Sequence, residues 1–182
     1  MTEQTLKLYT VADLAALPDD GLRYELDEGE LIAMPPPTRQ HGYLVMLIGR
    51  LLGNYVEEHD LGEVVAEAGY LLAESPDTVR SPDVSFTAKA RVQPFTPGYD
   101  RTPPDLAVEV VLPGNSAADL NKKVIQYFGA GVRLVWLIYP LTKTVHVYTG
   151  ATAVTILDET AILTGGDVLP GLVIPISRLF SR

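Results

Sequence analysis

Cysteine is absent from the 182 residues of this chain, and so are long apolar segments. Without cysteine there are no disulfides, no thiolate metal ligands and no cysteine nucleophile. The longest segment free of Asp, Glu, Lys and Arg is residues 144–157, shorter than the roughly 20 apolar residues of a membrane helix. The first ten residues lack the apolar core of a secretion signal. The sequence therefore predicts a cytoplasmic protein that does not enter a membrane.

Positive charge is scarce, with 14 lysines and arginines against 23 acidic residues and a net charge of −9. So acidic a chain is a poor candidate for tight, static binding of nucleic acid, because the phosphate backbone is itself negative. Residues 78–101 depart from this balance, with two acids against four bases, namely Arg80, Lys89, Arg91 and Arg101. The acidity therefore weakens a nucleic-acid hypothesis without excluding it.

Apolar residues make up 47% of the chain, enough for a hydrophobic core in one domain of ordinary size. There is no internal repeat, low-complexity segment or linker, so residues 1–182 are expected to form a single domain. Glycine-rich phosphate loops and the Gly-x-Ser-x-Gly motif are also missing. Nucleotide-cofactor and serine-hydrolase chemistry therefore have no support.

Hydrophobic periodicity predicts the order of helices and strands. Residues 40–59 carry apolar side chains at three- and four-residue steps, typical of a long amphipathic helix, and residues 116–130 repeat the pattern. Further predictions are a short helix at 11–17, hairpins at 23–34 and 134–148, and strands at 63–66, 70–73, 82–86 and 105–112. This order predicts a mixed α+β fold, an α/β arrangement in which helices flank a mostly antiparallel central sheet, with an additional N-terminal hairpin and C-terminal strands.

Two acids lie inside apolar strand segments. Asp83 follows Pro82 and precedes Val84, and Glu109 is surrounded by apolar residues from 106 to 112. Burying a carboxylate is costly unless it meets a cation or a metal. Two interpretations are open. Each acid is a structural residue held by an ion pair or hydrogen bond, or the two acids together form an oxygen-ligand site for Mg²⁺ or Mn²⁺.

Lys123 lies on the helix that follows the Glu109 strand, one residue from its apolar face. Its neighbour Lys122 points about 100° away, so at most one of the two lysines faces the sheet. The alternative for Lys123 is an exposed ion pair with Asp119, four residues earlier. His41 opens the long helix after a triple proline, a position typical of a cap or surface residue.

Several motifs occur together in a fixed order: Tyr24-Glu-Leu-x-x-Gly29-Glu-Leu, Ser81-Pro-Asp-Val-Ser, Pro104-Asp-Leu-Ala-Val-Glu-Val, Lys123-x-x-x-Tyr127 and Val168-Leu-Pro-Gly-Leu. With them, the sequence resembles the Uma-two family of restriction endonucleases over residues 10–180. That family belongs to the PD-(D/E)XK nuclease superfamily. The resemblance implies a restriction-endonuclease-like core with a central mixed sheet between helices.

The resemblance also implies which residues form the site. Asp83 and Glu109 match the two metal-binding acids of the superfamily, and Glu25 and His41 match further family positions near the site. The usual Glu-x-Lys motif would place lysine at position 111, where this chain has valine, so the implied lysine is Lys123 on the next helix. The implied chemistry is endonucleolytic hydrolysis of phosphodiester bonds in nucleic acid, DNA above all, with Mg (or Mn) as cofactor.

Two departures from the family pattern affect the expected substrate more than the metal ligands: Leu112-Pro113 replaces Ser-Pro, and Tyr139 replaces an acid. Enzymes of this superfamily commonly act as dimers, so a homodimer is expected, with the strands at 134–139 and 144–148 offering an edge for pairing. Residues 87–104, rich in Pro, Gly, Arg and Thr, are expected to contact the substrate. Two alternatives stay open: a non-catalytic interaction module on a nuclease-like scaffold, and a hydrolase of small phosphoesters, which would suit the negative charge.

Overall fold

The computed structural model describes residues 7–181. It contains three α-helices, α1 (Val11–Ala15), α2 (Arg39–Glu58) and α3 (Ala117–Gly129). Its strands are β1 (Arg23–Asp27), β2 (Glu30–Met34), β3 (Gly62–Ala66), β4 (Tyr70–Ala73), β5 (Thr78–Arg80), β6 (Val84–Ala88), β7 (Leu106–Val110), β8 (Leu134–Tyr139), β9 (Thr144–Gly150), β10 (Ala153–Leu157), β11 (Ile162–Gly165) and β12 (Leu169–Pro175). Single 3-10 turns follow β6 and β12, at Lys89–Arg91 and Ile176–Arg178. The helices and hairpins predicted from periodicity are all present, with ends that differ by up to two residues.

The central sheet has six strands in the order β10-β9-β8-β7-β6-β3. All neighbours are antiparallel except β7 and β8, which are parallel and are connected through α3. A second sheet has the order β2-β1-β5-β4, and β11 pairs with β12. The mixed α+β fold with a mostly antiparallel sheet and flanking helices is therefore confirmed. The pattern missed β5, because three residues are too few to show an alternation.

The two faces of the central sheet bury different helices. On one face, Leu44, Ile48 and Leu52 of α2 pack against strand residues that include Val108 and Trp136. On the other, Leu120, Val124 and Tyr127 of α3 pack against Ala107, Val135 and Leu137. Successive side chains of a strand point to opposite faces. Glu109, two residues after Ala107, therefore points toward α3.

The β1–β2 hairpin lies in the second sheet and carries Glu25. Its turn residues Glu28 and Gly29 both have positive φ, 52° and 83°, as a two-residue turn of this hand requires. The turn sets the register that pairs Asp27 with Glu30 and Glu25 with Ile32. Strand β1 then pairs with β5, which brings Glu25 close to Arg80.

The expectation that β8 and β9 offer a free edge is wrong. Strand β9 is paired with β8 on one side and with β10 on the other, and β8 is paired with β7 and β9. The edges of the central sheet are β10 and β3. Among the helices of residues 7–181, none is long and apolar enough to cross a membrane.

Candidate active site

All five site residues expected from the sequence line one cavity of about 190 Å³: Glu25, His41, Asp83, Glu109 and Lys123. They come from five different elements, β1, α2, the residue before β6, β7 and α3. Residues more than 80 positions apart in the chain therefore meet where β6 starts and β7 ends. The cavity lining contains five acids and three lysines or arginines, so the site carries an excess of negative charge.

The register of the sheet places Asp83 beside Glu109. Val84 pairs with Val108 across the antiparallel strands β6 and β7, so one step beyond this pair the backbone of Asp83 comes level with that of Glu109. The Oδ2 atom of Asp83 accepts a hydrogen bond from the backbone N–H of Val110 at 2.7 Å. This contact secures the Asp83 carboxylate at the end of the β6–β7 ladder.

His41 is buried beside Asp83. Thr38 caps α2 by accepting a hydrogen bond from the His41 backbone N–H, which places His41 in the first turn of the helix. Its Nε2 atom lies 3.2 Å from each carboxylate oxygen of Asp83. The side chain is only 5% exposed, and its Nδ1 atom has no hydrogen-bond partner among the described residues. The interpretation of His41 as a cap or surface residue is therefore wrong, because the helix start packs over the strand ends.

Lys123 links two carboxylates. Its Nζ atom lies 3.1 Å from Oε1 of Glu109 and 3.1 Å from Oε1 of Glu25. The alternative ion pair with Asp119 is wrong, because Asp119 instead exchanges hydrogen bonds with Ser116 at the helix start. Lys122 points away as expected, toward Asp27 and Glu28.

Arg80 and Tyr127 complete the site, and the sequence did not identify their roles. Tyr127 donates a 2.6 Å hydrogen bond from its hydroxyl to Oε1 of Glu109. Arg80 is 4% exposed and donates to Oε2 of Glu25 at 2.9 Å, while the backbone N–H of Ser81 donates to Oε1 of Glu25. The spacing of four residues between Lys123 and Tyr127 was the available signal for Tyr127. Arg80 stood out only as one of the four bases of residues 78–101, because the short strand that buries it was not predicted.

The charges of the site shift its pKa values in different directions. Burial raises the pKa of Glu109, and the opposing charge of Lys123 does not offset burial combined with the charges of Asp83 and Glu25. Burial also acts to raise the pKa of Glu25, but the charges of Lys123 and Arg80 outweigh it and lower that pKa. The positive charges beside Glu25 thus outweigh the effect of its burial, whereas Lys123 alone does not do so for Glu109.

Lys123 and Tyr127 both keep their protons. Burial acts to lower the pKa of Lys123, but the charges of Glu109 and Glu25 outweigh it and raise the pKa above its ordinary value. Burial and the neighbouring charge of Glu109 raise the pKa of Tyr127 well above its usual range. Near neutral pH these two side chains therefore act as a cation and a hydrogen-bond donor.

Asp83 and Glu109 are the residues whose chemistry fits a hard divalent cation. Both carboxylates line the same cavity, and Oε2 of Glu109 accepts no hydrogen bond from the residues described. Burial raises the pKa of Glu109, and a cation bound beside this carboxylate would oppose that rise. Within residues 7–181, no group of three or more His, Asp or Glu side chains is arranged to hold a metal. The fit is therefore to Mg²⁺ or a similar ion that takes one or two carboxylates and fills its remaining positions with water and phosphate oxygens.

The loop expected to contact the substrate lies outside this cavity. None of residues 87–104 is among the lining residues, and Thr87 and Ala88 belong to β6. Its cations pair with acids elsewhere: Lys89 with Asp60, Arg91 with Asp105 and Arg101 with Glu74.

Comparison with known proteins relates this chain to nucleases. The crystal structure of a putative nuclease of the DUF820 family from Anabaena variabilis matches with a TM-score of 0.82 and 22% identity, covering 94% of this chain and 97% of that one. The nuclease-like fold expected from the sequence is thereby confirmed. No curated protein matches this chain. Residues 11–177 match the model of the family described as "Uma2: Putative restriction endonuclease". Because this match covers nearly the whole sequence, the chain belongs to the Uma2 family.

Proposed function

We propose that this protein is a metal-dependent endonuclease that hydrolyses phosphodiester bonds in nucleic acid, with Asp83 and Glu109 as the ligands of Mg²⁺ or Mn²⁺. Family membership supports a nuclease. The observation that carries the finer assignment is the placement of Asp83 opposite Glu109, with Lys123 bonded to Glu109 in the same cavity. When bound, such a cation polarises the phosphate and lowers the pKa of a coordinated water.

Lys123 acts in this proposal as a fixed positive charge. Because its pKa is raised, it is protonated near neutral pH and does not serve as a general base. An ammonium group held in a buried cavity stabilises negative charge that develops on phosphate oxygens in the transition state. Glu25 and Tyr127 hold this arrangement together, Glu25 through Lys123 and Tyr127 through Glu109.

His41 acts on Asp83. Its Nε2 lies within hydrogen-bond distance of both Asp83 oxygens, and the Val110 N–H binds one of them. Together these contacts fix the plane of the carboxylate. A carboxylate held in this way is already oriented for a ligand, so less ordering is needed when the ligand binds.

A second candidate function is the hydrolysis of small phosphoesters. The cavity of about 190 Å³ is smaller than the roughly 300–1,000 Å³ of typical small-molecule sites, and its lining is acidic. A small phosphoester fits such a space, and its few negative charges meet less repulsion from the acidic lining than those of a long duplex. Activity on a chromogenic phosphodiester without activity on any polynucleotide would favour this candidate.

The test is a cleavage panel with Mg²⁺, Mn²⁺ or EDTA on plasmid, linear duplex, single-stranded DNA and RNA. Asp83→Asn and Lys123→Met are expected to abolish cleavage, whereas Lys122→Met is the matched control, because Lys122 does not line the cavity. Cleavage that needs metal and disappears in the first two variants alone would support the proposal. Cleavage that survives Asp83→Asn would refute the assignment of the site. If no substrate is cleaved and Mn²⁺ does not raise the Tm of the protein, an interaction module is favoured.

A homodimer stays a prediction, now with a different surface. Strand β10 is an edge of the central sheet, and its Val154 and Ile156 are exposed. Exposed edge strands with apolar side chains favour pairing with another chain. Size-exclusion chromatography with light scattering is expected to give twice the 19.8 kDa of one chain, and a mass of one chain would refute the dimer.

A further inference from the structure

The site cavity adjoins a second groove that the proposed mechanism does not use. This groove, of about 300 Å³, is lined by the first turn of α2 and by the chain segments after β7 and β8. Four residues line both spaces, His41, Val110, Val111 and Leu112. The groove therefore lies directly beside the cavity that holds Asp83 and Glu109.

The groove has one cation that is available to a ligand. Within residues 7–181, Arg39, Arg50 and Arg178 are the basic residues that form no ion pair with a carboxylate, and Arg39 alone of them lines the groove. Arg39 is the first residue of α2. The first amide groups of a helix have no partner within it and favour anions.

A buried polar atom gives an independent indication of a ligand. His41 lines both the cavity and the groove, is 95% buried, and leaves Nδ1 without a hydrogen-bond partner among the described residues. Buried polar atoms in native proteins almost always have a partner, which at such a position is a ligand or a water. The junction of the two spaces is thus a polar contact point, whereas Leu112, Pro113 and Leu141 make the groove wall apolar.

The depth of the acids restricts the form of the substrate. Asp83 is 5% exposed and Glu109 is 7% exposed, and Ile32, Met34 and Pro35 of the β1–β2 hairpin and its exit form another wall of the cavity. A phosphodiester must enter this space to reach the acids. The backbone of an intact duplex is attached to a rigid stack of base pairs, which hinders its entry into the cavity. Separating the strands of a duplex costs free energy, and a single strand enters without this cost. The paired cations of residues 87–104 also leave few charges for a long duplex.

We propose that the site acts on single-stranded nucleic acid, with the scissile phosphodiester in the cavity and the adjoining strand in the groove, where Arg39 binds the neighbouring phosphate. This inference rests on the proposed nuclease function. The apolar wall contacts sugars and bases without hydrogen-bonding their edges, so cleavage has little sequence preference. DNA and RNA strands share this chemistry, and the experiment distinguishes them.

The experiment compares wild type, Arg39→Gln and the matched control Arg50→Gln, which removes an exposed, unpaired arginine from the same helix outside the groove. Substrates are labelled single-stranded DNA and RNA of one sequence, a blunt duplex, and a duplex with a single-stranded overhang. Cleavage is measured with Mn²⁺, and binding is measured by fluorescence anisotropy in EDTA at several salt concentrations. We expect single strands to be cut at least about tenfold faster than the blunt duplex, with cuts in the overhang only.

For Arg39→Gln we expect KM and the dissociation constant for single strands to rise about tenfold, with kcat unchanged. The slope of log binding constant against log salt should fall by about 0.7, the value for one lost phosphate contact. Arg50→Gln should match wild type in each measurement. Equal cutting of duplex and single strands, or a salt slope that Arg39→Gln leaves unchanged, would overturn the inference.

The two proposals fail differently. Duplex cleavage that is as fast as single-strand cleavage and disappears in Asp83→Asn would support the nuclease and overturn the single-strand inference. No cleavage of any substrate, with single-strand binding that depends on Arg39, would refute the nuclease and support the groove as a nucleic-acid site. If cleavage and binding are both absent, both proposals are wrong.

Discussion

Replacing Glu109 by glutamine should stabilise the metal-free protein while removing its response to metal. Glu109 is held by Lys123 at 3.1 Å, a contact worth about 5 kcal/mol at an effective dielectric constant of 20. Its pKa is nevertheless raised, because burial and the charges of Asp83 and Glu25 exceed that attraction. The carboxylate therefore costs stability when charged. Glutamine keeps an oxygen that can accept the hydrogen bond from Tyr127 and removes the charge.

The size of the metal response follows from linkage. A ligand at 100 times its dissociation constant stabilises the folded state by about 2.7 kcal/mol. For a chain of this length about 1 kcal/mol shifts the Tm by roughly 2–4 °C, so saturating Mn²⁺ should raise the wild-type Tm by about 5–11 °C. Glu109→Gln should lose most of this shift. Glu57→Gln, the same change at an exposed position of α2, should retain it.

The pH dependence in EDTA gives a second measurement. Because the pKa of Glu109 is raised on folding, the folded state binds its proton more tightly than the unfolded state. Stability from this group therefore falls as the pH rises from about 4.3, the unfolded value, to the folded pKa, and is then constant. The Tm of Glu109→Gln minus that of wild type should widen over this range and level off above it. A variant that is less stable than wild type throughout in EDTA, or that keeps the full Mn²⁺ shift, would refute the reasoning.

Two further predictions concern the buried network behind Lys123. Arg80→Met should destabilise the protein by about 3–5 kcal/mol in urea unfolding, because it leaves Glu25 buried with one cation fewer. Lys122→Met removes a more exposed cation and should cost less than about 1 kcal/mol, so equal effects would contradict this account. Asp27→Asn should reduce acid sensitivity: burial acts to raise the pKa of Asp27, but hydrogen bonds from Lys122 and Gln126 and the charge of Arg80 outweigh it and lower the pKa. The stability that Asp27 contributes is thus present above its unfolded pKa of about 3.9 and is lost as the pH falls through its folded pKa. The difference in unfolding free energy between wild type and Asp27→Asn should therefore shrink with acidification. A difference independent of pH would refute this prediction.

The buried network shows how stability and the proposed chemistry are combined. Lys123 is shared by a compensated acid, Glu25, and an uncompensated one, Glu109. Glu25 and Arg80 hold the lysine in place whether or not a ligand is present. Oε2 of Glu109 accepts no hydrogen bond from the described residues, so this oxygen can still bind a cation. Sites that bind cations or do chemistry commonly retain such uncompensated charge, and the surrounding fold bears its cost.

Local pattern alone determined much of this protein. The three- and four-residue steps of α2 and α3 predicted both long helices, because an apolar stripe must face a sheet. The same periodicity selected Lys123 over Lys122, since only one of two consecutive helical residues can point inward. Glu109 stood out because a carboxylate within an apolar strand must have a partner. The family resemblance then supplied Glu25 and His41 as members of the set.

Tertiary structure decided which of these residues meet. Arg80 is buried because β5 lies between β1 and β4. A strand of three residues is too short for its sequence to predict this pairing. His41 reaches Asp83 only because the start of α2 packs over the strand ends. The edge strand is β10 and not β9, because β9 is paired on both sides. The sequence could not show this, since the alternation of side chains is the same for inner and outer strands. The sequence thus specified the long helices and most strands with their buried faces, whereas partners distant in the chain depend on register and packing, which local periodicity does not encode.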